Sequence, residues 1–241
     1  MEASAAPGKA GASLTSPVAI VGGTGALGSA LAARLAMAGV AVRVGSRTVE
    51  TANESAGKIR SHLEDEGATV TGHLNTEAVS GCEIVFLTVP FRAQSENLNN
   101  LRNALVGGQI LVDASVPLAA AISGKATRTI GVWQGSAAQQ AAEMVPEGVV
   151  VVSALHSISA VTLRDLDREL DEDTLVMSDD EPAKAKVARL LELIPRVRAI
   201  DGGPLEQARI AEQVTALLIG VNIRYKTHAG VRFTDLPERK W

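Results

Sequence analysis

The run Gly23-Thr24-Gly25-Ala26-Leu27-Gly28 follows the apolar stretch Val18–Val21 and opens a segment rich in Ala and Leu. Three glycines at that spacing, between a strand and a helix, suit one task, the holding of a pyrophosphate. Gly23 permits a tight turn, Gly25 lets the backbone come close to the phosphates, and Gly28 lets helix and strand pack closely. Free N–H groups at the helix start then face the phosphates. The plainer reading is a glycine-rich turn with no ligand, and the flanking strand and helix favour the nucleotide. About 20 residues past such a loop, a protein that binds NAD carries an acid for the ribose 2′-OH. Here the second strand ends Val44-Gly45-Ser46-Arg47-Thr48, with no acid. Ser46 and Thr48 can donate hydrogen bonds, and Arg47 can pair with a 2′-phosphate and stack on adenine. These residues favour NADP(H), against the reading of Arg47 as an ordinary exposed residue before a helix.

The other strand ends are Thr88-Val89-Pro90-Phe91, Ala114-Ser115-Val116-Pro117 and Ser153-Ala154-Leu155-His156-Ser157-Ile158. They are mostly apolar, with Thr88, Ser115, Ser153, His156 and Ser157 as polar exceptions. An apolar slot suits two flat redox rings pressed face to face, where proximity and orientation are the main catalytic terms. No Ser/His/Asp or Cys/His set is readable, and His62, His73, His156 and His228 show no metal spacing. His62 and His73 read as solvated. His156 ends a long apolar strand and reads equally as a ligand-orienting group or as a hydrogen-bonded structural histidine. Cys82 reads as inert packing. The acidic runs Asp165–Asp173 and Asp179–Glu181 lack calcium-loop spacing and read as solvated faces.

These residues need a scaffold, and the chain alternates short β-branched runs with helical stretches. Strands are expected at Val18–Val21, Val40–Val44, Thr69–Leu74, Glu83–Val89, Gln109–Asp113 and Gly148–Leu155, and helices at Ala26–Ala38, Thr51–Glu66 and Arg92–Ala104. This rhythm calls for an α/β fold with a doubly wound parallel sheet. Beyond His156 come short strands at Thr174–Met177 and Val197–Ile200, a helix at Ala183–Ile194, and a long apolar helix at Leu205–Tyr225. A helix that apolar is buried against the sheet, a second domain or another subunit. The expected organisation is a tail over 1–16, a nucleotide-binding domain over 17–150 and a smaller α/β domain over 151–241.

With 241 residues, 46% hydrophobic and 21% charged, the chain has the profile of a soluble globular protein. A net charge of -4 and an aromatic content of 2% argue against a nucleic-acid partner. No run of about 18 apolar residues suggests a membrane span. The single cysteine fits a reducing cytoplasm, and the tail lacks the pattern of a signal peptide.

Five blocks stand together in order: Val21-Gly-Gly-Thr-Gly-Ala-Leu-Gly28, Val44-Gly-Ser-Arg47, Leu87-Thr-Val-Pro90, Val152-Ser-Ala-Leu-His156 and Asp201-Gly-Gly-Pro-Leu205. From about Val18 to Phe233 the chain resembles the NADPH:F420 oxidoreductases. The resemblance implies a Rossmann domain, a small C-terminal domain and a dimer. It implies hydride movement between C4 of the nicotinamide and C5 of the deazaflavin F420. Thr24, Leu27, Ser46 and Arg47 would then hold NADP, Val89 and Pro90 would lie near the nicotinamide, and His156 and Ile158 would border the deazaflavin. Asn222 to Val231, with Ala229, Gly230 and Val231, would close the F420 site. Phe91 stands where the family carries a tryptophan. F420 bears a phosphate and a glutamate tail, and Arg224, Lys226, His228, Arg232, Arg239 and Lys240 gather near the C-terminus, where a basic helix end would also complement the helix dipole. Two other readings use the same scaffold. One is an NADPH-dependent reductase of a small imine or carbonyl, whose proton donor would be His156, Tyr225 or Lys226. The other is an NADP(H)-sensing protein without turnover.

Overall fold

The structure, a computed structural model, describes residues 16–63, 69–237 and 241. All but Ser16 of the tail expected over 1–16, the end of the helix read as far as Glu66, and Arg239 and Lys240 lie outside the described residues.

Six short runs dominated by Val, Ile and Leu form the sheet. They are β1 (Val18–Val21), β2 (Val42–Ser46), β3 (Val70–Leu74), β4 (Ile84–Leu87), β5 (Ile110–Asp113) and β6 (Val150–Ser153). All pairings are parallel, in the order β3-β2-β1-β4-β5-β6. β1, β4 and β5 are buried at every position, as strands covered on both faces must be. The strand order reverses where β1 meets β4 and Val21 pairs with Leu87. That reversal opens a crevice over the carboxyl ends of the strands, the place where such sheets bind ligands.

The helices α1 (Ala26–Met37), α2 (Val49–Arg60), α3 (Asn75–Ala78), α4 (Gln94–Leu101) and α5 (Ala137–Met144) flank this sheet. α5 is absent from the sequence reading. Its buried face consists only of Ala137, Ala138 and Ala141, and its start is held by the local cap Ser136 together with Glu212 of a distant helix. On α1, buried Arg34 donates to the carbonyls of Leu163, Leu166 and Arg168, and to that of Asp165. These carbonyls end and follow α6 (Ala160–Arg164), so one guanidinium satisfies acceptors that a helix end leaves open.

The remaining elements are β7 (Glu172–Val176), α7 (Glu181–Leu191), β8 (Val197–Asp201) and α8 (Ala208–Tyr225). β7 and β8 form a separate parallel pair. It joins the large sheet where Ser153 and Met177 exchange hydrogen bonds of 2.8 and 3.0 Å. Asp201-Gly-Gly-Pro-Leu205 is the corner between β8 and α8. Buried Lys184 pairs with Asp201, and a Cβ on Gly202 would lie 2.3 Å from the Met177 sulfur.

Two expectations need correction. β7 starts two residues early, inside the run read as a solvated acidic face, and buries Glu172 and Asp173. Charge composition alone points such residues to water; the arginines that compensate Asp173 come from elsewhere in the chain. His73 is half-buried in β3, with Nε2 2.7 Å from the Thr71 hydroxyl. Of the long apolar helix, expected to be buried against the sheet, a second domain or another subunit, this chain buries only Ala208, Ala211, Glu212 and Ala216, and Ile210, Leu217, Ile223 and Tyr225 are exposed on it.

Candidate active site

The glycine loop divides its residues by role. The positive φ of +75° falls on Gly22, where a Cβ would also lie 2.7 Å from the Val89 side chain. Gly23, read as the turn residue, is excluded from bearing a side chain for a different reason. Its Cβ would come within 2.9 Å of both the Ile20 carbonyl oxygen and Val44. At Gly28 a Cβ would lie 2.5 Å from the Thr88 hydroxyl and 2.7 Å from the Gly22 carbonyl oxygen. These glycines are demanded by the chain's own packing. Gly25 differs, because a Cβ there meets nothing closer than the Gly22 oxygen at 3.2 Å, with an ordinary φ of −73°. Thr24, Gly25 and Ala26 are exposed, and no side chain caps α1. The first N–H groups of the helix lack intrahelical partners, so they are available to an anion, and Gly25 leaves the approach to them clear. Leu27 turns the other way, into the core.

At the end of β2, buried Ser46 places its hydroxyl 2.7 Å from that of Thr51. Thr48 caps α2 by accepting from the Thr51 amide. Arg47 projects between them, exposed, with no hydrogen bond or ion pair to another described residue. Asn75, which the sequence reading missed, sits below. Its Oδ1 accepts from the Gly22 amide at 3.3 Å, and its Nδ2 donates to Asn97 at 3.4 Å. No local motif marks it; only the crossover from β3 brings it under the loop.

Across the crevice, Thr88 is spent on packing, with its hydroxyl donating to the Val21 carbonyl at 2.9 Å. Val89 packs over Gly22 and Pro90 is exposed. Ser115 is buried, its hydroxyl 2.8 Å from Asp113 Oδ1 and 3.3 Å from the Val89 carbonyl oxygen.

The His156 end is made by long-range contacts. Leu155 has φ of +75°, a strained conformation for a branched side chain. Three hydroxyls hold the backbone there. Thr174 accepts from the Leu155 amide, Thr215 donates to the His156 carbonyl at 2.6 Å, and Ser157 donates to the Asp173 carbonyl at 2.6 Å. The imidazole itself is buried, and neither ring nitrogen has a hydrogen-bond partner among the described residues. Burial holds its pKa down at about 4, against an opposing pull from the Ser115 backbone, which is near without completing a bond. The ring is therefore neutral at pH 7.

His156, Ser157, Leu175, Val214, Val231 and Phe233 line a cavity of about 20 Å³. That is room for one water and not for a ring system, so a ring reaching His156 must displace Val231 or Phe233 outward. The segment holding those two residues is tied down. The Ala229 amide donates to Asn222, Gly230 packs on the Glu172 side chain, and the Asp173 amide donates to the Val231 carbonyl. The buried Asp173 carboxylate accepts from Arg198, Arg232 and the Phe233 amide. Burial pushes its pKa up, but Arg198 and the Phe233 amide outweigh that and hold it below the ordinary carboxylate value. Of the four residues expected to close the second site, Val231 lines the cavity at His156, while Asn222 and Ala229 bond to each other and Gly230 packs on Glu172. Ile158 does not join them; its side chain is buried in the cluster with Leu31 and Leu163. Of the basic residues near the C-terminus, Arg232 is engaged by Asp171 and Asp173, while Arg224, Lys226 and His228 are exposed.

A sequence model of the family "NADP oxidoreductase coenzyme F420-dependent" matches residues 17–117. The chain is similar to the F420-dependent NADP reductase of Methanothermobacter thermautotrophicus, at 42% identity over 92% of this chain and 97% of that one. It is similar to the enzyme of the same name from Methanocaldococcus jannaschii, at 40% identity over 91% and 98%. Among solved structures, an Arthrobacter sp. FB24 protein assigned to the F420-dependent NADP reductases aligns with a TM-score of 0.71, 26% identity and coverage of 88% and 96%. An imine reductase from Aspergillus terreus shares the fold, with a TM-score of 0.59, 16% identity and coverage of 88% and 63%.

Proposed function

The chain belongs to the F420-dependent NADP reductases, and we propose that it moves a hydride between C4 of a nicotinamide held over Val89 and Pro90 and C5 of F420 held at the His156 end. The observation that carries the nucleotide half is Gly25, open to solvent at an uncapped helix start between two glycines that the fold itself requires. The α1 amides hold the pyrophosphate, and Arg47, free of other partners, meets the 2′-phosphate beside Thr48. Ser46 supports that turn from below. The whole-length likeness to the family supports F420 as the second substrate.

When both substrates are bound, the nicotinamide and the deazaflavin supply the redox chemistry, and the protein's task is to align them and keep water out. Val89 and Pro90 offer an apolar wall. His156 orients the deazaflavin as a neutral hydrogen-bonding group; its depressed pKa and its unpartnered nitrogens support that role over that of a charged acid. Asn222, Ala229, Gly230 and Val231 form the movable wall. Residues 17–150 then act as the nucleotide-binding domain and 151–241 complete the F420 side. Tyr225 and Lys226 are exposed at the end of α8 and do not share the cavity with His156, which weighs against imine or carbonyl reduction.

A homodimer is supported by α8, whose Leu217 and Ile223 are 63% and 67% exposed. A second copy would bury them. No helix among the described residues is long and apolar enough to cross a membrane, and a cytoplasmic enzyme agrees with that. The deciding experiment mixes purified protein, NADPH and F420 and follows the loss of the deazaflavin's visible absorbance. His156→Ala should slow the reaction about 10- to 100-fold, the scale of lost orientation, with His156→Asn recovering part of the rate. No bleaching by the wild-type protein would reject the proposal.

A further inference from the structure

Asp113 ends β5 with its carboxylate fully buried, one strand over from the point where the sheet order reverses. No role in binding either substrate falls to it, yet every contact it makes leads to one. Oδ1 accepts from the Ser115 hydroxyl at 2.8 Å and Oδ2 accepts from Gln94 Nε2 at 3.1 Å. The same Ser115 hydroxyl lies 3.3 Å from the Val89 carbonyl oxygen, and Val89 packs on the glycine loop at Gly22. Ser115 also borders the His156 ring through its backbone. Gln94 in turn is fixed on its far side. Its Nε2 donates to the Ala137 carbonyl at 2.9 Å, and its Oε1 accepts from Gln140 at 2.7 Å. Glu212 of α8 closes the chain by accepting from the Ala137 and Ala138 amides at 3.1 and 3.2 Å.

A buried carboxylate costs several kcal/mol to desolvate unless its hydrogen bonds are complete. Here both oxygens are used, and burial raises the pKa only to about 6 against the bonds from Ser115 and Gln94. The group is thus a charged acceptor at neutral pH, and its bonds are of the stronger, charge-assisted kind. Helix packing alone would be served by an apolar residue at this site. A hydrogen-bonding group there fixes direction: it sets where Ser115 points, and through Ser115 it sets the spacing between the Val89 loop and the loop that borders His156.

We propose that Asp113 is a positioning residue for hydride transfer, holding Ser115 and Val89 so that the nicotinamide wall keeps its place relative to His156. This rests on the functional reading above. Asp113 touches neither substrate and acts through Ser115, with Gln94 and the Glu212-capped start of α5 as its anchor.

The substitution Asp113→Asn tests direction against charge. An asparagine can turn its oxygen to Gln94 and donate from its amide to the Ser115 oxygen, which leaves the Ser115 hydroxyl for Val89. Asp113→Ala can do neither. With NADPH and F420, Asp113→Ala should lower kcat about 10- to 100-fold, as misorientation does, while the NADPH KM stays within about threefold, since the loop amides and Arg47 are untouched. Asp113→Asn should bring kcat back to within about threefold of wild type on the same scale. If Asp113→Ala does not fold, Ser115→Ala takes its place, with a smaller kcat loss of the same kind. Amide hydrogen exchange gives a reading without turnover. Exchange over residues 89–93 and 114–118 should quicken about tenfold or more in Asp113→Ala or Ser115→Ala and return toward wild type in Asp113→Asn. Unchanged exchange and kcat in the alanine variants, equal damage in Asn and Ala, or a KM rise matching the kcat loss would each overturn the proposal. Failure of the wild-type protein to bleach F420 would instead overturn the functional reading, and the exchange measurement would still decide the role of Asp113.

Discussion

The glycine loop and the His156 end are two ligand-facing regions built in opposite ways. The loop works with backbone. Its glycines sit within seven residues, from Gly22 to Gly28, and its anion site is a helix start that needs no side chain. The His156 end works with side chains drawn from Thr174, Thr215, Asp173, Arg198 and Arg232, across separations of 16 to 60 residues. The first region is rigid because alternatives clash. The second is held by hydrogen bonds, which fix a strained turn at Leu155 and tether a strap at Val231–Phe233. A substitution in the first should therefore act by steric exclusion and be nearly all-or-none. One in the second should act by loosening and be graded.

The largest effect expected is at the glycines. Gly28→Ala puts a Cβ 2.5 Å from the Thr88 hydroxyl and 2.7 Å from a carbonyl oxygen. Overpacking of this kind costs about 1–3 kcal/mol or more, so the melting temperature should fall along with NADPH binding. At Gly25 an added Cβ meets only the Gly22 oxygen, at 3.2 Å, so Gly25→Val should abolish NADPH binding while the melting temperature falls far less than in Gly28→Ala. If Gly25→Val melts as early as Gly28→Ala, or binds NADPH normally, the division of the loop into packing and ligand-facing glycines fails.

Next comes Asp173→Ala. It removes a buried carboxylate from Arg198, Arg232 and the Phe233 amide. The arginines are 37% and 43% exposed and regain water, so the loss should be about 2–3 kcal/mol rather than the full cost of an orphaned charge. Untied, the strap no longer closes back in one place over a bound ring, and the F420 KM should rise about tenfold, with the NADPH KM unchanged. Equal changes in both constants would show that the strap serves the fold as a whole.

His156 gives the comparison a pH dimension. Its folded pKa of about 4 lies below the unfolded value of 6.5. The group thus contributes stability above about pH 6.5 that is lost as pH falls toward 4, amounting to up to about 3 kcal/mol. Chemical unfolding followed between these pH values should show that slope. His156→Asn should flatten it; a slope unchanged in the variant would mean the ring is not buried neutral.

The same contrast explains what could be read from sequence. The parallel sheet, the loop and the NADP-type end of β2 follow from local pattern, since each feature lies within one stretch of chain. Asp201-Gly-Gly-Pro-Leu205 was visible as a family motif, but its work as a corner pinned by Lys184 and Met177 was not. Asp173 was misread as solvated because its arginines lie 25 and 59 residues away. α5 has a local cap in Ser136, but its buried face is only alanines, and Glu212, which accepts from its first two amides, is 75 residues distant. Asn75 and Asp113 carry no motif at all; the topology alone brings them to the crevice.

Two further effects sharpen the comparison inside the nucleotide site itself. Arg47→Ala should remove a charge-assisted contact worth about 1.5–3 kcal/mol, raising the NADPH KM about ten- to a hundredfold while NADH use changes little. Asn75→Ala should be milder and unselective. Asn75 touches the Gly22 amide and Asn97, and its contacts hold the loop rather than the 2′-phosphate end. The bond to Gly22 is long at 3.3 Å and half-buried, so its loss should cost about 1 kcal/mol. Affinity for NADPH and NADH should then fall together, about three- to tenfold, because both carry the pyrophosphate that the loop receives. Titration of each nucleotide against the two variants separates the cases. If Asn75→Ala discriminated between NADPH and NADH as Arg47→Ala does, Asn75 would have to reach the 2′-phosphate end directly, and the loop would be positioned by its glycines alone.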